Sequence, residues 1–291
     1  MGKKIVYRII FLAFTVLIIP VVPILVIFVG VSSPEYVMKG TLNIDLSQTE
    51  ATDYMKVYTT FLMNMLRLNL GTSATSGKSV ISIVSSGMLK SLIIIIPSTI
   101  FSYTAGMLIG IWTEKSKIAN AIWSKSQFVF YIPMIAFSYL LLYLLTFAGV
   151  DLLSNKRYLA AIIALSLYPV FVISNSLKKT LVDLRRSDFF LFHKSLGFGE
   201  DRIWNKFCRK LVLVDFLSYL ENILIYMFGF LYFAETPFGI NGMGHKFVFA
   251  VQRFDYPVII GFCVFGILLL STVGLMVDIL KLRLDTRLAD A

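Results

Sequence analysis

The chain has 291 residues and a formal net charge of +10, and 57% of its residues are hydrophobic whereas only 15% are charged. A soluble domain has about a quarter of its residues charged, so this composition excludes a water-facing globule and indicates a membrane protein. Lys and Arg lie between long apolar runs rather than together on one soluble face, which argues against nucleic-acid binding.

Six apolar runs follow one another along the chain. A helix that crosses a hydrocarbon core of about 30 Å needs about 20 mainly apolar residues. The runs are 9–31, 91–113, 127–150, 158–177, 216–234 and 258–277. The first is too long for the apolar part of a signal peptide and no small-residue cleavage site follows it, so we expect it to be retained. The sequence predicts an all-α polytopic membrane protein with six transmembrane helices in one domain, 1–291.

The basic residues predict the orientation of these spans. With the N-terminus in the cytoplasm, the inner segments carry 18 Lys and Arg and the outer segments carry 8. Because Lys and Arg are enriched in cytoplasmic loops, we expect both termini inside, an outer loop at 32–87 and an inner loop at 178–215. Loops of this length usually have a function.

A glycine-rich segment of the outer loop, from Gly71 to Ser79, superficially resembles a phosphate-binding loop. That motif has four residues between its glycines, whereas five separate Gly71 from Gly77 here. The predicted position is also outside the cell, away from ATP. We therefore expect a flexible Gly/Ser loop and no nucleotide hydrolysis by this chain.

Few residues have the pattern of a catalytic or metal site. The sequence has no His-Glu-x-x-His, no paired membrane aspartates and no Gly-x-Ser-x-Gly, which argues against an enzyme. Cys208 and Cys263 are expected to be unpaired thiols, and two isolated histidines suggest no metal site. Glu221 is the one acid within a predicted span, so it either faces a transport pathway or reaches water at the inner end of its helix.

The inner loop has signals for two short helices. Ser187 or Asp188 can cap a helix that Gly197 ends, and a second helix is expected to begin near Glu200. That second helix would put three apolar side chains on one face, namely Ile203, Phe207 and Leu211. Aromatic side chains would then be exposed, which indicates either a protein contact or an amphipathic segment lying on the membrane.

At this loop the sequence resembles a known family. An acidic residue, Asp188, is followed nine positions later by Gly197 and then by a helix, as in the EAA loop of permease subunits of ABC importers. Three further stretches resemble the dipeptide, oligopeptide and nickel type of these permeases in order and spacing. They are Asn69-Leu-Gly-Thr-Ser73, Glu235-Thr-Pro-Phe-Gly-Ile-Asn-Gly-Met-Gly244 and Asp255-Tyr-Pro257, and Asp285-Thr-Arg287 resembles the closing Asp-Pro-Arg.

The resemblance implies a type I ABC importer permease fold and a set of site residues. The inner loop would be the ATPase-coupling loop, through Asp188, Phe192, Leu196, Gly197, Phe198, Gly199 and Ile203. The motifs expected near the docking face for a binding protein contain Asn69, Gly71, Ser73, Glu235, Gly242, Gly244, Asp255 and Pro257. Glu221 would be a possible pathway residue.

The resemblance also implies partners. In the bacterial cytoplasmic membrane this chain would pair with a second homologous permease, two cytoplasmic ATPase subunits and an extracytoplasmic binding protein. ATP and Mg²⁺ would be bound by the ATPases, and this chain would hold no cofactor. The implied substrate is a peptide, with nickel or a metal chelate as the alternative. A stand-alone secondary transporter and a membrane-bound scaffold are the alternatives from other classes.

Overall fold

The computed structural model describes residues 54–67, 69–151 and 155–284, together with scattered positions between 6 and 21. Within these ranges the regular structure is helical, apart from one isolated bridge between Thr72 and Ser79. The α-helices are α1 (Tyr54–Leu66), α2 (Val80–Lys115), α3 (Lys117–Ser126), α4 (Met134–Phe147), α5 (Lys156–Arg186), α6 (Asp188–Ser195), α7 (Glu200–Ile203), α8 (Arg209–Glu235), α9 (Met243–Gln252) and α10 (Tyr256–Leu284). A 3₁₀ segment, Gln127–Tyr131, precedes α4, and a π-helical segment, Trp204–Cys208, precedes α8.

Among the described residues, four helical stretches are long and apolar enough to cross a membrane. They are Val80–Lys115, Lys156–Arg186, Glu200–Glu235 and Tyr256–Leu284. A bent pair, Lys117–Tyr131 with Met134–Phe147, passes the same test when its two helices are taken together. These stretches contain or overlap the predicted spans from 91–113 onwards. The first predicted span, 9–31, lies largely outside the described residues. The chain is a helical, multi-pass membrane protein.

The span predicted at 127–150 is broken rather than straight. Its two parts meet at an angle of 100° around Ile132 and Pro133. Proline has no backbone N–H to donate, and it pushes the preceding residue towards an extended conformation. Ile132 has φ −68° and ψ 124°, and Pro133 is the N-cap of α4. The backbone therefore leaves the helical path at this proline and re-enters it in a new direction.

The chain divides into two compact units. The first comprises the described residues of 93–240 and 273–284. In this unit α2 and α5 come close together, because a Cβ atom at Gly106 would lie only 2.7 Å from Cγ2 of Ile173. Small residues allow such close packing between membrane helices. The buried face of α5 accordingly contains small side chains, namely Ala160, Ala161, Ala164, Ser166 and Ser174.

The second unit comprises the described residues of 6–92 and 241–272. Its core consists of buried apolar side chains from α1, α2, α9 and α10 and the turn after α1. They are Met65, Leu70, Val80, Val84, Ala250, Val258, Ile260, Phe262 and Val264. A Cβ atom at Gly261 would lie 2.5 Å from Cγ1 of Val80, so the start of α10 packs directly against the start of α2.

Candidate functional site

Helix α6 in the predicted coupling loop begins and ends as its residues predict. The Ser187 hydroxyl oxygen accepts a hydrogen bond from the backbone N–H of Phe190 at 3.3 Å, which caps the first turn. At the other end Gly197 has φ +83°. Its N–H donates to the carbonyl of Lys194 at 3.0 Å, and the N–H of Phe198 donates to the carbonyl of His193 at 3.3 Å. These two bonds form a Schellman motif, which requires a left-handed residue at the glycine position.

One face of α6 is anchored in a small apolar cluster. Phe190 is buried with Ile203 and Cys208, and its ring lies 5.6 Å from that of Trp204 between centroids. Ile203 was expected to share a face with Phe207. The π-helical segment Trp204–Cys208 adds a residue to the turn, so the side chain buried beside Ile203 is Cys208, five positions later.

The opposite side of α6 is exposed and apolar. We call this surface the outer face of α6; its side chains are Phe189, Leu191, Phe192 and Leu196. Phe192 is 60% exposed and Leu196 58%. Phe198, in contrast, is half-buried against the apolar cluster. Four exposed apolar side chains on a short helix at the end of α5 make a surface suited to a protein contact.

Ionic contacts connect this loop to two long helices. Nε of Arg185, near the end of α5, lies 3.2 Å from Oε1 of Glu114, near the end of α2. Nη1 of Arg185 also lies 3.5 Å from Oε2 of Glu200, and Nζ of Lys194 lies 2.8 Å from Oε1 of Glu200. The guanidinium of Arg185 is 5.8 Å from the ring centroid of Trp204. Arg185 therefore joins α2 and α5 to the base of the coupling loop.

The charge of Glu200 depends on its basic neighbours. Its carboxylate lies at the surface at the start of α7, outside the predicted span 216–234. A hydrogen bond and the positive charge of Lys194 lower the pKa of the Glu200 carboxyl, and Arg185 adds to this effect. Glu200 therefore stays ionised at neutral pH.

In the second unit, the Gly71–Ser79 segment is a closed turn around a carboxylate. The carboxylate of Asp255 accepts hydrogen bonds from the hydroxyl of Ser73 at 2.6 Å and that of Thr75 at 2.7 Å, and from the N–H of Ala74 at 3.1 Å. The turn itself is closed by the N–H of Ser73, which donates to the carbonyl of Lys78 at 2.8 Å. We expected a flexible loop here. Instead, successive N–H and O–H groups form a concave anion site that a carboxylate of the same chain occupies.

This turn brings two of the sequence motifs together. Asn69 accepts a hydrogen bond from the N–H of Gly71 at 3.3 Å, and Gly71 has φ +80°. Asp255 immediately precedes α10, and its carbonyl accepts from the N–H of Ile259 at 3.0 Å. Pro257 stands in the first turn of α10. Backbone N–H groups there have no acceptor within the helix, so proline, which has no N–H, costs no hydrogen bond. The two motifs are thus parts of one hydrogen-bonded structure.

The third motif, 235–244, spans the end of α8 and the start of α9. Glu235 is fully buried, and its carbonyl accepts from the N–H of Ile240 at 3.0 Å. Gly242 precedes α9 and Gly244 lies in its first turn. One turn later, Nζ of Lys246 donates to the hydroxyl of Ser86 at 2.7 Å.

Glu221 lies within α8, against α10. A Cβ atom at Gly274 would be 3.2 Å from Oε1 of Glu221 and 3.3 Å from its Cδ. The absence of a side chain at Gly274 therefore makes room for the carboxylate. Among the described residues, no group of three or more His, Cys, Asp or Glu is arranged to hold a metal ion.

Sequence reasoning missed the contacts that depend on distant segments. It did not identify Arg185, Glu114 or Lys246, because the partner of each lies in a segment that is distant in the sequence. The Pro133 in an apolar run was the available signal for the break before α4. The π-helical segment has no signal that we recognise in the sequence.

Comparison with known proteins identifies the family. Residues 103–290 match the model of the binding-protein-dependent transport system inner membrane component. The oligopeptide transport system permease protein of Bacillus subtilis is 24% identical over 262 residues, which cover 84% of this chain and 82% of that protein. The dipeptide transport system permease proteins of Lactococcus lactis and Bacillus subtilis are 26% and 27% identical over 125 residues, which cover 43% of this chain and 41% of each relative. Because the family model covers more than half of the chain, this protein belongs to the family of binding-protein-dependent transport system inner membrane components.

Proposed function

We propose that this chain is one permease subunit of an ATP-driven importer of di- or oligopeptides. In this proposal it pairs with a second permease in the bacterial cytoplasmic membrane, and two ATPase subunits bind beneath them. A binding protein outside the membrane delivers the peptide. Peptide is the substrate class favoured by the names of the similar permeases. This chain itself catalyses no reaction, and ATP and Mg²⁺ are held by the ATPases.

The observation that carries the proposal is the outer face of α6. Its exposed apolar side chains are held on a helix whose opposite face is anchored through Phe190. A helix fixed on one side and apolar on the other is suited to insertion into a groove of a partner. The charge distribution predicts that this loop is cytoplasmic, which is where ATPase subunits would meet it.

The turn around Asp255 supports the second half of the proposal. The same charge distribution predicts that residues 69–79 lie outside. Because Asp255 fixes this turn through several hydrogen bonds, the turn presents a rigid surface. A rigid outer surface is suited to docking of a binding protein, since little conformational entropy is lost there on association.

The test is reconstitution with the ATPase, permease and binding-protein subunits encoded with this chain. We expect this chain to co-purify with two ATPases and to support ATP-dependent peptide uptake into proteoliposomes. Two substitutions on the outer face, Phe192→Asp and Leu196→Asp, should weaken ATPase binding by about 30-fold, because truncation of central interface contacts often costs about 2 kcal/mol. The control is Asn205→Asp, which adds one negative charge, as each of the two outer-face substitutions does, at an exposed position of the π-helical segment.

Other results of the reconstitution would contradict the proposal, and each would point to a different function. Retention of full ATPase binding by the Phe192→Asp, Leu196→Asp variant would refute the coupling role of α6. Uptake of nickel or a metal chelate, but not of peptides, would assign the metal-uptake function. Transport without any ATPase would indicate a secondary transporter, and a complex that transports nothing would indicate a scaffold.

A further inference from the structure

A cavity of about 340 Å³ lies in the first unit, where the broken helix faces α5 and α8. We call it the aromatic cavity; its lining includes Phe130, Ile132, Pro133, Tyr168, Tyr226 and Phe230. The volume lies at the lower end of the range of small-molecule pockets, which is about 300 to 1,000 Å³. It is large enough for one bulky side chain with its backbone.

Three rings form a continuous stack on one wall of the aromatic cavity. The ring centroids of Tyr168 and Tyr226 are 4.5 Å apart, and those of Tyr226 and Phe230 are also 4.5 Å apart. The interplanar angles are 30° and 29°. Tyr168 is 42% exposed and Phe230 is 38% exposed. The stack therefore leaves ring surface open to a further apolar or aromatic group.

The depth of these tyrosines argues against a lipid-facing wall. Tyr168 stands at the middle of the predicted span 158–177, and Tyr226 at the middle of 216–234. Tyrosines that face lipid are concentrated at the two membrane interfaces, where their hydroxyl groups reach water. A phenol directed into hydrocarbon at mid-depth would lack a hydrogen-bond partner. The Tyr226 hydroxyl donates to the sulfur of Met134 at 3.6 Å, which is a weak acceptor. A polar or water-containing pathway would offer both phenols stronger partners.

The helix break is a second, independent indication that the cavity lies beside a polar or water-containing pathway. At Ile132 and Pro133 the backbone leaves the helical conformation, and both residues line the cavity. Non-helical backbone at membrane depth is tolerated where it is buried in protein or lines a water-filled cavity. In many secondary transporters, substrate sites are formed at such discontinuous helices.

From this geometry we infer that the aromatic cavity is a subsite of the transport pathway that binds an apolar or aromatic side chain of the peptide. The two outer rings of the stack, Tyr168 and Phe230, contact the side chain, and the backbone at the helix break lies beside the peptide backbone. This inference rests on the proposed function, because it requires that the cargo is a peptide.

The first test places a photoreactive benzoylphenylalanine at Phe137, which lines the cavity, in the complete importer complex. We expect illumination during transport to attach it to a labelled phenylalanine-containing tripeptide, and unlabelled peptide should compete. A matched probe at Tyr143, an exposed residue of α4 outside the cavity, should not label the peptide. Attachment at position 137 only to lipid or to the second permease would overturn the inference, as would equal labelling of the peptide from both positions.

The second test compares uptake of a phenylalanine-containing tripeptide with uptake of triglycine at saturating binding protein. Tyr168→Ala should lower the ratio of the two initial rates by about threefold to tenfold, because one aromatic contact is lost. Tyr143→Ala should leave the ratio unchanged. An unchanged ratio in Tyr168→Ala, with both peptides still transported, would overturn the subsite alone. If the unsubstituted complex imported neither peptide, the proposed function itself would fail.

Discussion

Ser73 donates its hydroxyl hydrogen to the carboxylate of Asp255 across 2.6 Å, although 182 positions separate the two residues in the chain. The same carboxylate also accepts from the N–H of Ala74 and from the hydroxyl and N–H of Thr75. Asp255 is 3% exposed. A buried carboxylate is stable only when its charge is balanced by hydrogen-bond donors. Here one short turn, from Ser73 to Thr75, supplies these donors.

We first predict that Asp255→Asn destabilises the protein by about 2 kcal/mol, the usual cost when buried donors lose their acceptor. An asparagine keeps the shape of the side chain, but it replaces one acceptor oxygen with an NH₂ group that cannot accept. The measurement is the free energy of unfolding in mixed detergent micelles. Asp183→Asn, on the exposed surface of α5, is the matched control and should have almost no effect. Equal effects of the two substitutions would contradict the importance of the turn.

The second prediction concerns the two glycines around the end of the coupling helix. Gly197 has φ +83°, whereas Gly199 has φ −64° and is the N-cap of α7. A Cβ atom would meet nothing within 4 Å at either position, so backbone conformation alone should decide the outcome. Gly197→Ser should cost about 1 kcal/mol through left-handed strain, whereas Gly199→Ser should be neutral or stabilising because serine is a good N-cap.

Hydrogen exchange can distinguish these two glycine variants locally. We expect Gly197→Ser to accelerate amide exchange in 188–196, because the Schellman bonds at the end of α6 are weakened. Gly197→Asn should have a smaller effect, since asparagine enters the left-handed region more easily. Equal amide exchange rates of residues 188–196 in Gly197→Ser and Gly199→Ser would contradict the claim that left-handed strain at position 197 weakens the end of α6.

The third prediction ranks the ionic contacts of the loop. Lys194 and Glu200 have side chains that are 56% and 44% exposed, so Lys194→Gln should leave stability almost unchanged, because exposed ion pairs contribute little. The side chain of Glu114 is only 9% exposed. Arg185→Gln leaves this carboxylate without its guanidinium partner and should cost about 1 to 3 kcal/mol.

A double-mutant cycle tests that ranking. If Arg185 and Glu114 interact directly, the effects of Arg185→Gln and Glu114→Gln on the unfolding free energy should not add. Arg186→Gln, at the exposed neighbouring position, provides the control for loss of one positive charge. Additive effects of the Arg185 and Glu114 substitutions would show that the observed pair contributes nothing specific.

The parts of the site that were predictable depend on local chemistry. The cap at Ser187 and the left-handed Gly197 belong to motifs a few residues long, so the sequence predicts both ends of α6. The order of the family motifs likewise predicts a multi-pass permease. These features need no knowledge of which distant segments pack together.

Other parts depend on packing between distant segments and could not be predicted. The turn at Ser73 contains the serine, threonine and glycine of a flexible loop, and only the approach of Asp255 makes it rigid. Ile203 was expected to align with Phe207 because a regular α-helix repeats every 3.6 residues, whereas the π-helical segment shifts the alignment to Cys208. Whether Arg185 or an adjacent basic residue pairs with Glu114 is likewise decided by tertiary structure.

The last prediction separates two roles for Glu221, a packing role and a role of its charge in transport. A Cβ atom at Gly274 would lie 3.2 Å from Oε1 of Glu221. Relative to the control below, Gly274→Ala should therefore cost about 1 kcal/mol through overpacking. Combining it with Glu221→Ala should remove that cost, whereas Glu221→Gln, which keeps the size of the side chain, should not. The control is Gly229→Ala, where a Cβ atom meets nothing within 4 Å and the helix propensity of alanine should be slightly stabilising.

Transport by the same variants then tests the charge. If the carboxylate acts only by packing, Glu221→Gln should import peptide at the unsubstituted rate, because its shape is retained. If the negative charge takes part in the pathway, Glu221→Gln should lower uptake several-fold while its unfolding free energy stays unchanged. A carboxylate within a membrane helix is costly to keep without a use, so we expect the second result. Equal uptake by the Gln variant and the unsubstituted protein would leave Glu221 with a packing role alone.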